Sequence, residues 1–231
     1  MIYISKFWNR ILKLLLVCFV SLVILILFWP QYFIRNLNEI IERKLNITFE
    51  GSTRANLLDN DLVVLMKRAG LIRLSFGLET VDEDMRKTMN KKIPLEAYSK
   101  SNALLNKNNI EALNSVMIGL PGETEENVWK TLNFLSKARE VKQANFAIAT
   151  PYPGTKFHEM AISGEGGMKL VSDNFTEYKR YGQAVTKVNN LGPDDLVRLQ
   201  NEGFVSIYIK HWRWWPVVKK HGIIGLILTF Y

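Results

Sequence analysis

Two hydrophobic periods alternate along this chain, after an opening stretch that shows neither. From Leu14 to Trp29 the run LLLVCFVSLVILILFW carries no charge, and Ile11 and Leu12 extend it past Lys13. A helix needs about 20 apolar residues to cross a bilayer, and a lysine at its margin can lift its ammonium to the interface. Phe28, Trp29 and Pro30 do not make a small-residue cleavage site, so residues 1–30 read as an uncleaved hydrophobic helix anchoring the chain in a membrane. The competing reading is a buried core helix, against which stands a run that is apolar on every side rather than striped.

Beyond Pro30 the periodic pattern begins. Residues 31–45 set Phe33, Leu37, Ile40 and Ile41 on one helical face, and ITFEGSTR at 47–54 has strand character. Asp59 can cap a helix whose Leu62, Leu65 and Met66 share a face, with Gly70 as its stop. LIRLSFGLE at 71–79 is the next strand. A short polar helix then opens at Asp82 or Asp84, and another begins at Pro94 with Ala97, Tyr98, Leu104 and Leu105 inward. ALNSVMIGL at 112–120 forms a third strand, Thr124 caps the helix carrying Val128, Leu132 and Leu135, and NFAIATPY at 145–152 forms a fourth. Strands separated by helices of this length imply parallel pairing with right-handed crossovers, so the fold class is α/β. Residues 161–192 are rich in Gly, Asn and Ser and read as loop with a short hairpin, and Pro193 starts a helix running to about Tyr208. The division expected is an anchor at 1–30, a β/α domain at 31–160 and a C-terminal extension at 161–231 with a helix and an apolar aromatic tail.

Composition narrows the function. The net charge of +8 is compatible with nucleic acid, an anionic membrane surface or acidic ligands. Basic residues gather near both apolar ends (Lys6, Arg10 and Lys13; Lys210, Arg213, Lys219 and Lys220), which favours a membrane surface, and no recognition-helix, RNA-binding or zinc-finger pattern accompanies them. The expectation is no nucleic acid, and a membrane-associated single-pass protein with its body on the cytoplasmic side. The three histidines lack zinc-ligand spacing, and the single cysteine, Cys18, excludes an intrachain disulfide.

In parallel β/α architectures ligands are met at the C-terminal ends of strands, and the conspicuous residues fall there. Gly77 would let a ligand approach the backbone, and Glu79 can accept hydrogen bonds from a sugar diol or, equally, cap the following helix. GLPGET joins Gly119 to a turn and a helix start whose amides suit an anion, or only serve the turn. TPYPGT places Tyr152 where its ring can stack on a nucleobase or enter the core.

The succession STR, MKRAG, RLSFGLET, MIGLPGETEENVWKTLNF and PYPGT closely resembles the radical S-adenosylmethionine (SAM) superfamily, in the branch with cobalamin-binding relatives and anaerobic magnesium-protoporphyrin ester cyclase-like proteins. It spans about Asn36 to about Glu159. The resemblance implies the third to sixth strands of a partial TIM-type barrel, with SAM and a 4Fe-4S cluster as cofactors. It assigns Glu79 to the SAM ribose, Met117 to Gly119 to the adenine side, Tyr152 to the adenine edge and Arg54 to the cavity. The Cys-x3-Cys-x2-Cys loop that holds the cluster in this family has no counterpart, and Cys18 among Leu, Val and Phe cannot replace it. The expectation is therefore a truncated or rearranged family protein, inactive alone or dependent on a partner that supplies the upstream strands. A membrane-anchored binding or scaffold protein built on half of the fold is the alternative. Either way, the open sheet edge needs a cover.

Overall fold

A computed structural model describes residues 31–210, 213–215 and 218. The expected anchor at 1–30 lies outside the described residues, as does most of the apolar tail. Among the described residues no helix is long and apolar enough to cross a membrane. Against the expectation of a membrane-associated, single-pass protein, the described residues supply no such span.

Helix α1 is described from residue 31 to 42 and leads into strand β1, Phe49–Thr53. Only its second half packs: Leu37 is buried and Ile40 and Ile41 lean on the core, whereas Phe33, expected inward, is exposed. Helix α2 (Asn60–Ala69) starts where the Asp59 carboxylate accepts the Leu62 N–H at 2.8 Å and stops at Gly70, whose φ of 111° a side chain would resist. Strand β2 (Leu71–Glu79) follows, then α3 (Glu83–Thr88), α4 (Leu95–Lys107), β3 (Glu111–Ile118), α5 (Glu125–Lys137) and β4 (Gln143–Ile148).

The four strands lie in the order β1-β2-β3-β4, all parallel, so each connection crosses over through helix. The α/β class and parallel sheet are as expected. Burial alternates along β3 and β4, and along β2 from Arg73 onward. Leu74, Phe76 and Leu78, then Ala112, Val116 and Ile118, then Ala144, Phe146 and Ile148 face the helices and form one core with residues such as Val63, Tyr98, Leu132 and Leu199. The intervening positions Arg73, Ser75 and Gly77, Glu111, Ser115 and Met117, and Asn145 and Ala147 are half-buried and line the opposite face, left uncovered by the helices among the described residues.

A buried pair of amides fixes α4 to β3. Asn102 Nδ2 donates to Asn114 Oδ1 at 3.0 Å and Asn114 Nδ2 donates to Asn102 Oδ1 at 2.9 Å. At the opposite end from the strand tips, Arg73 sits between Glu111, 2.7 Å away, and Glu50, 3.1 Å away, closing the foot of the uncovered face with one charge network.

After α6 (Lys156–Ser163) the expected hairpin is present, as antiparallel β5 (Met168–Leu170) and β6 (Thr186–Val188). The last helix, α7 (Pro193–Phe204), continues as a π turn over Val205–Ile209. It packs on β4 so closely that a methyl group on Gly203 would lie 2.7 Å from the Phe146 ring.

Candidate functional site

The C-terminal end of β2 carries the first cluster. A bulge pairs Gly77 with Ser115 and Glu79 with Val116, leaving Leu78 as the extra residue, and Glu79 adopts φ of 64°. That left-handed backbone is uncommon for a residue with a side chain. It folds the carboxylate back over Gly77, where a Cβ would approach Glu79 Oε1 to 2.6 Å. Gly77 is thus needed to seat the chain's own Glu79, where a ligand's approach was expected. The Gly77 carbonyl accepts from Lys91 Nζ at 2.6 Å and from Tyr98 Oη at 3.0 Å. Lys91 also pairs with Glu79 Oε1 at 3.4 Å, and both side chains keep about a fifth of their surface exposed, 24% and 19%. Sequence reasoning missed Lys91: it lies in the loop between α3 and α4, and no spacing rule ties it to a residue twelve positions earlier.

Beneath that loop Arg86 is buried, donating to the carbonyls of Thr80 and Ile93 with its guanidinium over the Tyr98 ring. Those bonds tie the segment bearing Lys91 to the strand end.

The end of β3 is organised by a residue the sequence did not single out. Glu123 is buried, and one of its carboxylate oxygens accepts the N–H of Gly119 at 2.6 Å and of Leu120 at 3.1 Å. The two amides of the turn that follows β3 are therefore occupied by the chain's own carboxylate. Burial pushes the Glu123 carboxyl up to about 7, against the two amide bonds, which pull it down, while Asp82 adds to the rise. Gly119 has φ of 87°. At the start of α5 a reciprocal capping box between Thr124 and Asn127 occupies the N–H groups of those two residues.

Met117 lines the uncovered face beside Ala147 in the strand register. Tyr152 falls beyond β4, which ends at Ile148, because Thr150 leaves the sheet with its hydroxyl on the Lys179 carbonyl at 3.1 Å. Its ring is 43% exposed, with its centroid 6.2 Å from that of Tyr178, so it is no core aromatic. Arg54 follows β1 directly in extended conformation, exposed and outside every ion pair among the described residues. The structure therefore brings Gly77, Glu79 and Lys91 into contact, sets Met117 on the strand next to them with Gly119 just past its end, and leaves Arg54 and Tyr152 at the two flanks.

A 4Fe-4S cluster requires several thiolates, and the one cysteine of this chain lies outside the described residues. No group of three or more His, Cys, Asp or Glu among the described residues could hold a metal ion. The described residues do not fit a cluster.

Comparison with known proteins supplies the context. The profile of the Radical SAM superfamily matches residues 29–135. An uncharacterized methyltransferase of Pyrococcus horikoshii is 29% identical over 199 residues, covering 81% of this chain and 41% of that protein. The anaerobic magnesium-protoporphyrin IX monomethyl ester cyclase of Rubrivivax gelatinosus is 31% identical over 123 residues, covering 52% of this chain and 22% of the enzyme. The chain thus spans less than half the length of these relatives. In fold it matches the radical SAM methyltransferase TsrM of Kitasatospora setae, solved with cobalamin and a [4Fe-4S] cluster, at a TM-score of 0.55 and 15% identity over 76% of this chain and 39% of that one. A parallel sheet of that barrel type, the strand-end motifs read from the sequence and the profile match agree, and over residues 29–135 this chain matches the radical SAM superfamily.

Proposed function

We propose that this chain forms the SAM-holding side of a radical SAM enzyme of the methyltransferase type. In this reading the cluster ligands and the strands preceding β1 come from a partner chain. The observation that carries the proposal is the pair Glu79 and Lys91 seated over Gly77 at the end of β2. A carboxylate there can accept both hydroxyls of a ribose. An ammonium has three N–H groups; Lys91 gives one to the Gly77 carbonyl and one to Glu79, leaving a third for a carboxylate such as that of methionine. Methyl transfer is the reaction class suggested by relatives named as methyltransferases, from Pyrococcus horikoshii and Chlorobaculum tepidum. SAM supplies the transferable methyl or the adenosyl group when bound. The role of this chain's residues is to hold the nucleoside by Glu79, the amino acid end by Lys91 and the base against Met117 and the Gly119 turn.

Saturation-transfer NMR of the full chain with SAM, using adenosine as competitor, tests the reading. Weak binding is expected, lowered about tenfold in Glu79→Gln, since one charge-assisted hydrogen bond contributes roughly 1.5–3 kcal/mol when sheltered and less in an open site. Binding that is equal in Glu79→Gln and wild type, or absent from both even at millimolar SAM, overturns it.

A further inference from the structure

The two edges of the parallel sheet are finished differently. At β4 the outer edge is sealed three times: Tyr208 Oη accepts the Ala144 N–H at 3.2 Å and donates to the Ala144 carbonyl at 2.9 Å, Gln200 Nε2 donates to the Phe146 carbonyl at 2.5 Å, and the Arg180 carbonyl accepts the Ile148 N–H at 2.8 Å. At β1 no segment among the described residues pairs with the outer edge. Phe49 donates its N–H to Gly70 at 3.1 Å, on the β2 side. The register slips between Phe49 and Glu50, where β2 carries one extra residue, Ile72, so β1 keeps its own alternation: Gly51 and Thr53 also face β2, whereas Glu50, Ser52 and Arg54 turn their amides outward. All three are exposed. Apolar side chains margin this edge in the sequence, with Ile47 just before the strand and Leu57 just after it, 44% and 58% exposed. Such an edge is a template for another strand.

We propose that a second copy of this chain covers it, β1 pairing antiparallel with β1 about a twofold axis at Ser52. The strand is self-complementary in that register. Two residues to either side of Ser52 stand Glu50 and Arg54, so the axis sets Glu50 of each copy opposite Arg54 of the other. Centring the axis on either of the other outward-facing residues would oppose Glu50 to Glu50 or Arg54 to Arg54, and like charges directly opposite destabilise a sheet. Arg54 has no ion pair of its own among the described residues, and Glu50 remains 49% exposed although it reaches Arg73. Both charges are therefore available to the other copy. This pairing is the state of the chain on its own. It uses the edge that a strand-supplying partner would have to take, so the two exclude each other.

A residue opposite itself in a hydrogen-bonded antiparallel pair has its Cα about 5.5 Å from its mate, within the span of a disulfide. The test uses the full chain with Cys18→Ser, to which Ser52→Cys is added, oxidised under native conditions and resolved on a non-reducing gel. A disulfide-linked homodimer is expected, and none from Ser75→Cys, one strand further in, in the same background. Adding Glu50→Arg to the Ser52→Cys chain should weaken dimerisation about tenfold, since it sets like charges opposite each other and the twofold repeats the pair. Adding Arg54→Glu as well, which swaps the charges and keeps them complementary, should restore the dimer. Equal crosslinking at the two cysteine positions, a Ser52→Cys chain that stays monomeric, or failure of the charge swap to rescue overturns the proposal. Crosslinking of Ser52→Cys to a different protein does the same and assigns the edge to that partner.

Discussion

Glu123→Gln should make the protein more stable at pH 8 and leave it unchanged at pH 4. The carboxyl is buried with its pKa raised from 4.5 to about 7, mainly by desolvation, so the folded state holds the proton more tightly than the unfolded chain. For an acid with a raised folded pKa, stability is fully present below the unfolded value, falls as pH climbs from about 4.5 towards 7, and stays reduced above it. At about 1.4 kcal/mol per unit the loss is about 3 kcal/mol. Glutamine has the shape of the protonated acid and does not ionise, and its carbonyl oxygen can still accept the N–H of Gly119. The variant should therefore lack this loss. For a chain of this size ~3 kcal/mol corresponds to a Tm difference of about 6–12 °C. Thermal unfolding of both proteins followed by circular dichroism at pH 4, 5, 6, 7 and 8 isolates the group, because every other carboxylate is common to the two curves. A difference that does not grow between pH 5 and 7, or a variant less stable at pH 8, would refute the argument. It would mean that the two amide bonds outweigh desolvation and that Glu123 is an anion required by the turn.

Gly77→Ala should cost under about 1 kcal/mol of stability, because the atoms met by the new methyl, Glu79 Oε1 and Lys91 Nζ, end flexible side chains. It should nonetheless abolish the SAM signal in saturation-transfer NMR; unchanged SAM binding would count against the seat. Gly203→Ala meets the rigid Phe146 ring instead, and denaturant unfolding should show a loss of about 1–3 kcal/mol. Asn114→Ala leaves the Asn102 amide buried without its partner, so urea melts should show a loss of about 1–3 kcal/mol, whereas replacing both asparagines with leucine should recover part of it. Tyr208→Phe strips the hydroxyl from both polar groups of Ala144, and hydrogen exchange at Ala144 should accelerate while exchange at Ala112, on β3, holds.

The succession of elements was legible because local chemistry decides it. Asp59 and Thr124 cap their helices through side chains only a few residues from the amides they accept, Gly70 ends α2 because its backbone turns left-handed, and alternating apolar residues in 71–79 and 111–118 bury one face of a sheet. The same local reading placed Glu79 at a strand end, and the family motifs marked it as a ligand residue. It erred where packing between distant segments decides. Phe33 satisfies the helical period yet is exposed, since period says which face is apolar and not whether anything lies against it. Tyr152 continues an apolar run past the sheet because Lys179 draws Thr150 away. Lys91 reaches Glu79 from a loop that Arg86 holds through the carbonyls of Thr80 and Ile93, and the pKa of Glu123 depends on burial beneath a turn that Asn189, 66 positions on, helps to hold. The contrast between the sealed β4 edge and the open β1 edge is likewise a property of the folded sheet, because Tyr208 reaches Ala144 across 64 residues and no local rule encodes such a bond. Propensity, capping and period act within a few residues; electrostatic environment and edge satisfaction depend on what the rest of the chain brings alongside, and those only the tertiary structure decided.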